Sequence, residues 1–174
     1  MKVKQFILLL AIISSTDVFS QIKYKNTLSE IYETFQMEDG AIKYVRYNKP
    51  GKKILIYDLD QTLWREVSLP LPKGHTLEEI KHVSVDKFNN DTLVEVIYSC
   101  VHYSNLDSFE DPEKLSNSAT YTLNIVNETG ESLLKVPNSN SLKIFETQKD
   151  KNMLIFRHSQ DGFIGKDETL IFSF

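Results

Sequence analysis

Cysteine is almost missing from this chain: Cys100 is the only one in 174 residues. A single cysteine excludes an intrachain disulfide, so stability has to come from packing. Within the run Val96-Ile97-Tyr98-Ser99-Cys100-Val101 it reads as a small buried hydrophobe rather than a reactive thiol. Glycine is scarce too, six in all, and they assemble no dinucleotide fingerprint, phosphate loop or Gly-x-Ser-x-Gly elbow. A basic excess is also lacking. The formal net charge is −4 and the lysines and arginines are dispersed, which argues against a nucleic-acid or anionic-membrane surface. The four histidines, His75, His82, His102 and His158, show no metal-ligand spacing with one another or with Cys100. No resident metal or cofactor is therefore expected.

The one long apolar run is at the N-terminus. Lys2 and Lys4 precede Phe6 to Ile13, and Val18-Phe19-Ser20 supplies small residues at a cleavage site, the order of a secretory signal peptide over residues 1–20. The run falls well short of the roughly 20 residues that span a bilayer, and no second one follows, so stable membrane insertion after signal removal is not expected. Loss of this segment removes Lys2, Lys4 and Asp17 and leaves a chain starting at Gln21 with a net charge of −5. The expected location is periplasmic or extracellular. Residues 21–40 read as a lead-in and residues 41–174 as a single β-rich domain.

What is present is strand. Ala41 to Tyr47, Lys53 to Tyr57, Thr62 to Leu69, Val83 to Val85, Leu93 to Val101, Thr120 to Val126, Leu133 to Val136, Leu142 to Thr147, Met153 to Phe156 and Thr169 to Phe174 are short apolar runs bounded by Asn, Asp, Gly, Pro or Ser. Their spacing predicts an all-β fold, an antiparallel meander of about ten strands in blade-like or sandwich-like sets. Three sets are expected, over residues 31–70, 80–137 and 141–174. Helical spacing occurs over Thr27 to Phe35, a short N-terminal helix or an edge strand, and again over His75 to His82. Residues 105–118, acidic and carrying Pro112, read as a long loop open to proteolysis.

Two segments spell the same hairpin. Ile56-Tyr57-Asp58-Leu59-Asp60-Gln61-Thr62-Leu63 is followed, 69 residues on, by Ile125-Val126-Asn127-Glu128-Thr129-Gly130-Glu131-Ser132. Each is an apolar strand, a polar turn and a second strand ending at Pro70 or Pro137. Asp58 and Asn127 are expected to cap their turns equivalently.

The first copy, from Lys53 to Leu63, also resembles the first motif of the haloacid dehalogenase phosphatases, a strand running into Asp-x-Asp-x-Thr-Leu. That resemblance implies Asp58 as nucleophile, Asp60 as general acid and base, and magnesium as cofactor. The remaining parts are displaced. Ser99 would have to supply the hydroxyl, Lys149 or Lys151 the lysine, and Asp161 and Asp167 the late acidic pair, on what ought to be a parallel sheet. The copy at Asn127 also replaces both aspartates, which a turn tolerates and a nucleophile does not. Trp64 and the eight tyrosines offer a different chemistry, an aromatic face for a carbohydrate.

A broader likeness runs from Tyr44 to the C-terminus. Ile56-Tyr57-Asp58 with Leu63-Trp64, Leu69 to Pro72, Val83-Ser84, Phe88-Asn89-Asn90-Asp91, Val94-Glu95-Val96, Ile125 to Gly130 and Thr169 to Ser173 together resemble a β-rich module of secreted Bacteroidetes proteins, often placed ahead of a type IX secretion sorting domain. The sequence ends at Phe174, and the sorting domain is expected to be absent. The resemblance implies no catalytic residues. It leads to the expectation of a secreted, non-enzymatic module, binding or structural in role, with a protein or glycan partner.

Overall fold

Eleven strands follow one another along the chain: β1 (Glu33–Gln36), β2 (Ile42–Asn48), β3 (Lys53–Tyr57), β4 (Leu63–Ser68), β5 (Thr76–Val85), β6 (Val94–Tyr103), β7 (Ala119–Asn127), β8 (Ser132–Pro137), β9 (Ser141–Glu146), β10 (Lys151–Arg157) and β11 (Glu168–Ser173). The structure, a computed structural model, describes residues 24, 27–28, 30, 32–103, 119–147, 149–159 and 167–174. The chain divides into a unit over Met1–Ile31 and another over Tyr32–Phe174, and the second is described here. Residues 1–23, which hold the expected signal segment, and the expected loop at 105–118 lie outside the described residues.

The strands form three antiparallel meanders in sequence order, β1-β2-β3-β4, β5-β6-β7-β8 and β9-β10-β11. The grouping follows the turn chemistry. Asn48 to Lys52, Pro70 to His75 and Asn138 to Asn140 break the chain where the next strand or sheet begins. No helix occurs among the described residues. The helical spacing over His75 to His82 belongs to β5, and Glu33 to Phe35 belong to β1, the edge strand of the first sheet.

Register explains the misleading period in β5. Two irregularities, between Leu77 and Glu79 and between Ile80 and His82, interrupt its pairing with β6. Each inserts a residue into the alternation, so Leu77, Ile80 and Val83 recur every third position while the backbone stays extended.

The second sheet lies between the other two. Along β6, Val94, Val96, Tyr98 and Cys100 join a core with Val45, Ile54, Ile56 and Val67 of the first sheet. Ile97, with Leu123 and Ile125 of β7, packs instead on Met153 and Ile155 of the third sheet. Successive side chains of a strand point to opposite faces, so β6 is apolar at nearly every position because both of its faces are covered. Each such buried aliphatic side chain stabilises by roughly 1.5–3 kcal/mol. Glu95 is the charged exception in this run. Its carboxylate is fully buried and accepts hydrogen bonds from Ser84 Oγ and from the backbone N–H groups of Lys87, Phe88 and Asn89, which fixes the β5–β6 loop.

The β3–β4 and β7–β8 turns have the same backbone. Asp58 N–H donates to Thr62 O and Gln61 N–H to Asp58 O, each at 2.9 Å; Asn127 N–H donates to Glu131 O at 3.0 Å and Gly130 N–H to Asn127 O at 2.9 Å. Gln61 and Gly130 both have positive φ, 73° and 88°. Pairing slips at the same place, after Ile56 in one hairpin and after Ile125 in the other. The side chains differ. Asn127 Oδ1 accepts from Thr129 N–H, Thr129 Oγ1 and Glu131 N–H, whereas in the first turn Thr62 N–H is taken by Asp60. Asp58 and Asn127 are therefore not equivalent caps, because the acceptor has moved two residues along the turn.

Candidate functional site

Asp58 faces a lysine. The β2–β3 pairing sets Tyr44 opposite Tyr57, which brings Lys43 of β2 beside the start of the β3–β4 turn. Lys43 Nζ donates to Asp58 Oδ1 at 2.6 Å and lies 4.1 Å from the centre of the Trp64 ring. The Lys43 side chain is only 11% exposed and that of Asp58 is 44% exposed, so the pair has a dry end and a wet end. An ammonium placed over an indole face is attracted by the ring quadrupole, which complements the carboxylate. Arg65 approaches the same ring at 5.0 Å.

Asp60 has a different task. Its Oδ1 accepts Thr62 N–H at 2.9 Å, and that hydrogen bond holds its carboxyl below the usual carboxylate range. Both aspartates thus sit in the turn of an antiparallel hairpin, not at the end of a parallel strand as the phosphatase motif implies. The other residues of that reading are not brought to them. Ser99 is buried in β6, its Oγ without a hydrogen-bond partner. Lys149 lies just before β10, Lys151 begins it and Asp167 lies just before β11, all at the third sheet, and Asp161 lies outside the described residues.

A cleft opens next to the pair. It has a volume of about 430 Å³ and is lined by Met37, Glu38, Asp39, Lys43, Trp64 and Val85. Met37, Trp64 and Val85 give it an apolar wall and the other three supply charged groups, the composition of a small-ligand pocket. Asp39 Oδ1 is engaged by Ala41 N–H, which fixes the β1–β2 turn on one side of the cleft. Its neighbour Glu38 belongs to a charged seam. Lys87 Nζ lies 3.4 Å from Glu38 and 2.5 Å from Glu146, tying the first sheet to the third across the second. The hydrogen bond from Lys87 holds the Glu146 carboxyl below its ordinary range. His82 Nε2 is 3.7 Å from Glu38, too far for a hydrogen bond, and burial pushes this imidazole towards its neutral form.

The tyrosine rings that meet one another are not coplanar. Tyr32 meets Tyr44 at 53° and Tyr57 at 85°, and Tyr98 is buried with its hydroxyl donated to Pro70 O. Cys100 is buried, and burial pushes its thiol up, away from thiolate. Among the described residues no group of three or more His, Cys, Asp or Glu side chains is gathered as a metal site. Sequence spacing did not point to the Lys43–Asp58–Trp64 cluster, since only strand register joins its members.

Comparison with known protein families, with curated proteins and with solved structures finds no match to this chain. No helix among the described residues is long and apolar enough to cross a membrane.

Proposed function

We propose that this chain is an exported, non-catalytic β-rich module that binds a glycan at the cleft beside Trp64. The observation that carries this reading is the joint presence, in one concave site of about 430 Å³, of an indole ring, an apolar wall and the carboxylates of Glu38 and Asp39. Lys43 lies over the Trp64 ring, so a sugar ring would pack its C–H groups on the part of the indole that Lys43 leaves open and on Met37 and Val85, with hydroxyls donating to the carboxylates. The volume falls in the range of small-ligand pockets. Export rests on the signal-like order of residues 1–20, and the absence of catalysis on the structural duties of Asp58 and Asp60. The likeness to the Bacteroidetes module, carried by the residues quoted above, agrees with such a role.

Trp64 is the only tryptophan, so its fluorescence reports on the cleft directly. Titration of the protein with a panel of soluble oligosaccharides is expected to shift its emission saturably for at least one of them. Trp64→Phe should keep the fold and remove the optical signal, and Asp39→Asn should weaken binding about tenfold by calorimetry, as loss of one charge-assisted hydrogen bond. Binding that leaves Trp64 emission unchanged, or that persists in Trp64→Ala at full strength, would place the ligand elsewhere and overturn the proposal.

A further inference from the structure

The β5–β6 register brings together two histidines that lie 27 residues apart in sequence. Thr76 pairs with Val101, and one step further out His75 and His102 face each other across the two strands. Their rings are 5.3 Å apart between centres with 28° between planes. His75 Nδ1 lies 3.2 Å from Lys73 O and His102 Nδ1 lies 2.9 Å from Gly74 O. A carbonyl oxygen can only accept, so both Nδ1 atoms carry hydrogen and donate. In the neutral rings the lone pairs are then on Nε2, which leaves two stacked imidazoles in the ligating tautomer. A hydrogen bond from the other ring nitrogen to a backbone carbonyl is the support that metal-bound histidines characteristically have.

The turn is shaped for this seat. Gly74 has a φ of +79°, and a Cβ there would lie 3.0 Å from His102 Nδ1. Only glycine both adopts that backbone and lets the ring approach so closely.

We propose that His75 and His102 form a two-nitrogen site for a divalent first-row transition metal, with solvent completing the coordination. Two imidazole nitrogens suit such an ion better than magnesium or calcium, which take oxygen ligands. Copper(II) binds tighter than nickel(II), and nickel(II) tighter than cobalt(II), as expected for imidazole ligands.

The test is calorimetric titration of the tag-free protein with copper(II) and zinc(II), with electron paramagnetic resonance of the copper form. One equivalent of copper(II) with two nitrogen ligands is expected. His75→Ala and His102→Ala should each lower affinity at least about tenfold, and Gly74→Ala should weaken it without removing a ligand. His158→Ala should bind as the unaltered protein does. Histidine-selective nitrogen NMR of the unaltered protein with zinc(II) gives a reading that needs no variant, a shift at Nε2 of both residues. Absence of copper binding, unchanged affinity in either alanine variant at His75 or His102, or loss of the signal in His158→Ala would each overturn the proposal.

Discussion

At the scale of single residues, the Lys43–Asp58 pair shows why one substitution in a charged pair is not the mirror of the other. Lys43 is almost enclosed, and Asp58 is nearly half exposed. Asp58→Asn leaves an ammonium in a dry place with Trp64 and the weaker pull of Asp60 to complement it, whereas Lys43→Met leaves a carboxylate that water can solvate. Asp58→Asn is therefore expected to destabilise by about 1–2 kcal/mol and Lys43→Met by less than about 1 kcal/mol. Chemical denaturation of the two variants checks the order, and the reverse ranking would mean that the pair is not what holds Lys43 in place. Asn127→Ala removes the acceptor for three hydrogen bonds and should cost about as much as Asp58→Asn or more, by a different route.

At the scale of elements, the two equivalent turns carry different residues at the same strained position. Gln61 holds a φ of 73° where the later turn has Gly130 at 88°. A side chain in the left-handed region costs roughly 1–2 kcal/mol, part of which glycine gives back through a freer unfolded chain. Gln61→Gly is expected to stabilise by about 0.5–1 kcal/mol. Gly130→Ala should destabilise by about 2 kcal/mol, because its Cβ would also lie 3.0 Å from Ser68 Cβ. Thermal unfolding of both variants checks the pair of opposite signs, and a Gln61→Gly protein that melts earlier would show that Gln61 makes contacts worth more than its strain.

The same scale shows what the sequence made legible. The strands and their division into three sets could be read because turn residues and period-two alternation are local signals. β5 was obscured because its two bulges convert a period of two into an apparent period of three. The expected aspartates were visible as a motif, but their partner Lys43 was not, since it comes from a neighbouring strand. His75 and His102 likewise have no spacing that announces them. Their meeting depends on the register between β5 and β6, which no local pattern specifies. The burial of Glu95 was hidden for a related reason: a glutamate in an apolar run gives no sign that backbone N–H groups of a nearby loop will surround it.

At the scale of the whole molecule, the charged seam gives stability a definite dependence on pH. His82 is disfavoured as a cation first by burial and then by Lys87, against the opposing pull of Glu38 and Glu146. Its folded-state value is lower than its ordinary 6.5, so as pH falls past that point the unfolded chain takes up a proton that the folded one refuses. Glu146 acts in the same direction further down. Its carboxyl is held below the ordinary 4.5, and the stability it contributes is lost as pH falls from there through its folded value. Denaturation midpoints are expected to be highest above about pH 7, to decline towards pH 5.5 through His82, and to decline again below pH 4.5 through Glu146. His82→Asn should flatten the first decline and Lys87→Met the second. Equal midpoints at pH 7.5 and 5.5 in the unaltered protein would refute the role given to His82.

The position of β6, paired on both edges and covered on both faces, also sets an order of opening. Freeing it requires both β5 and β7 to leave its edges and both outer sheets to leave its faces, whereas β1, β9 and β11 each need lose one neighbour. The molecule therefore frays from its outer sheets inward, and the least costly excursions are partial ones that leave the middle sheet standing. On that account the amides of β6 open only with the whole molecule, and they mark the slow limit against which every local fluctuation of the turns, the cleft and the outer strands is timed.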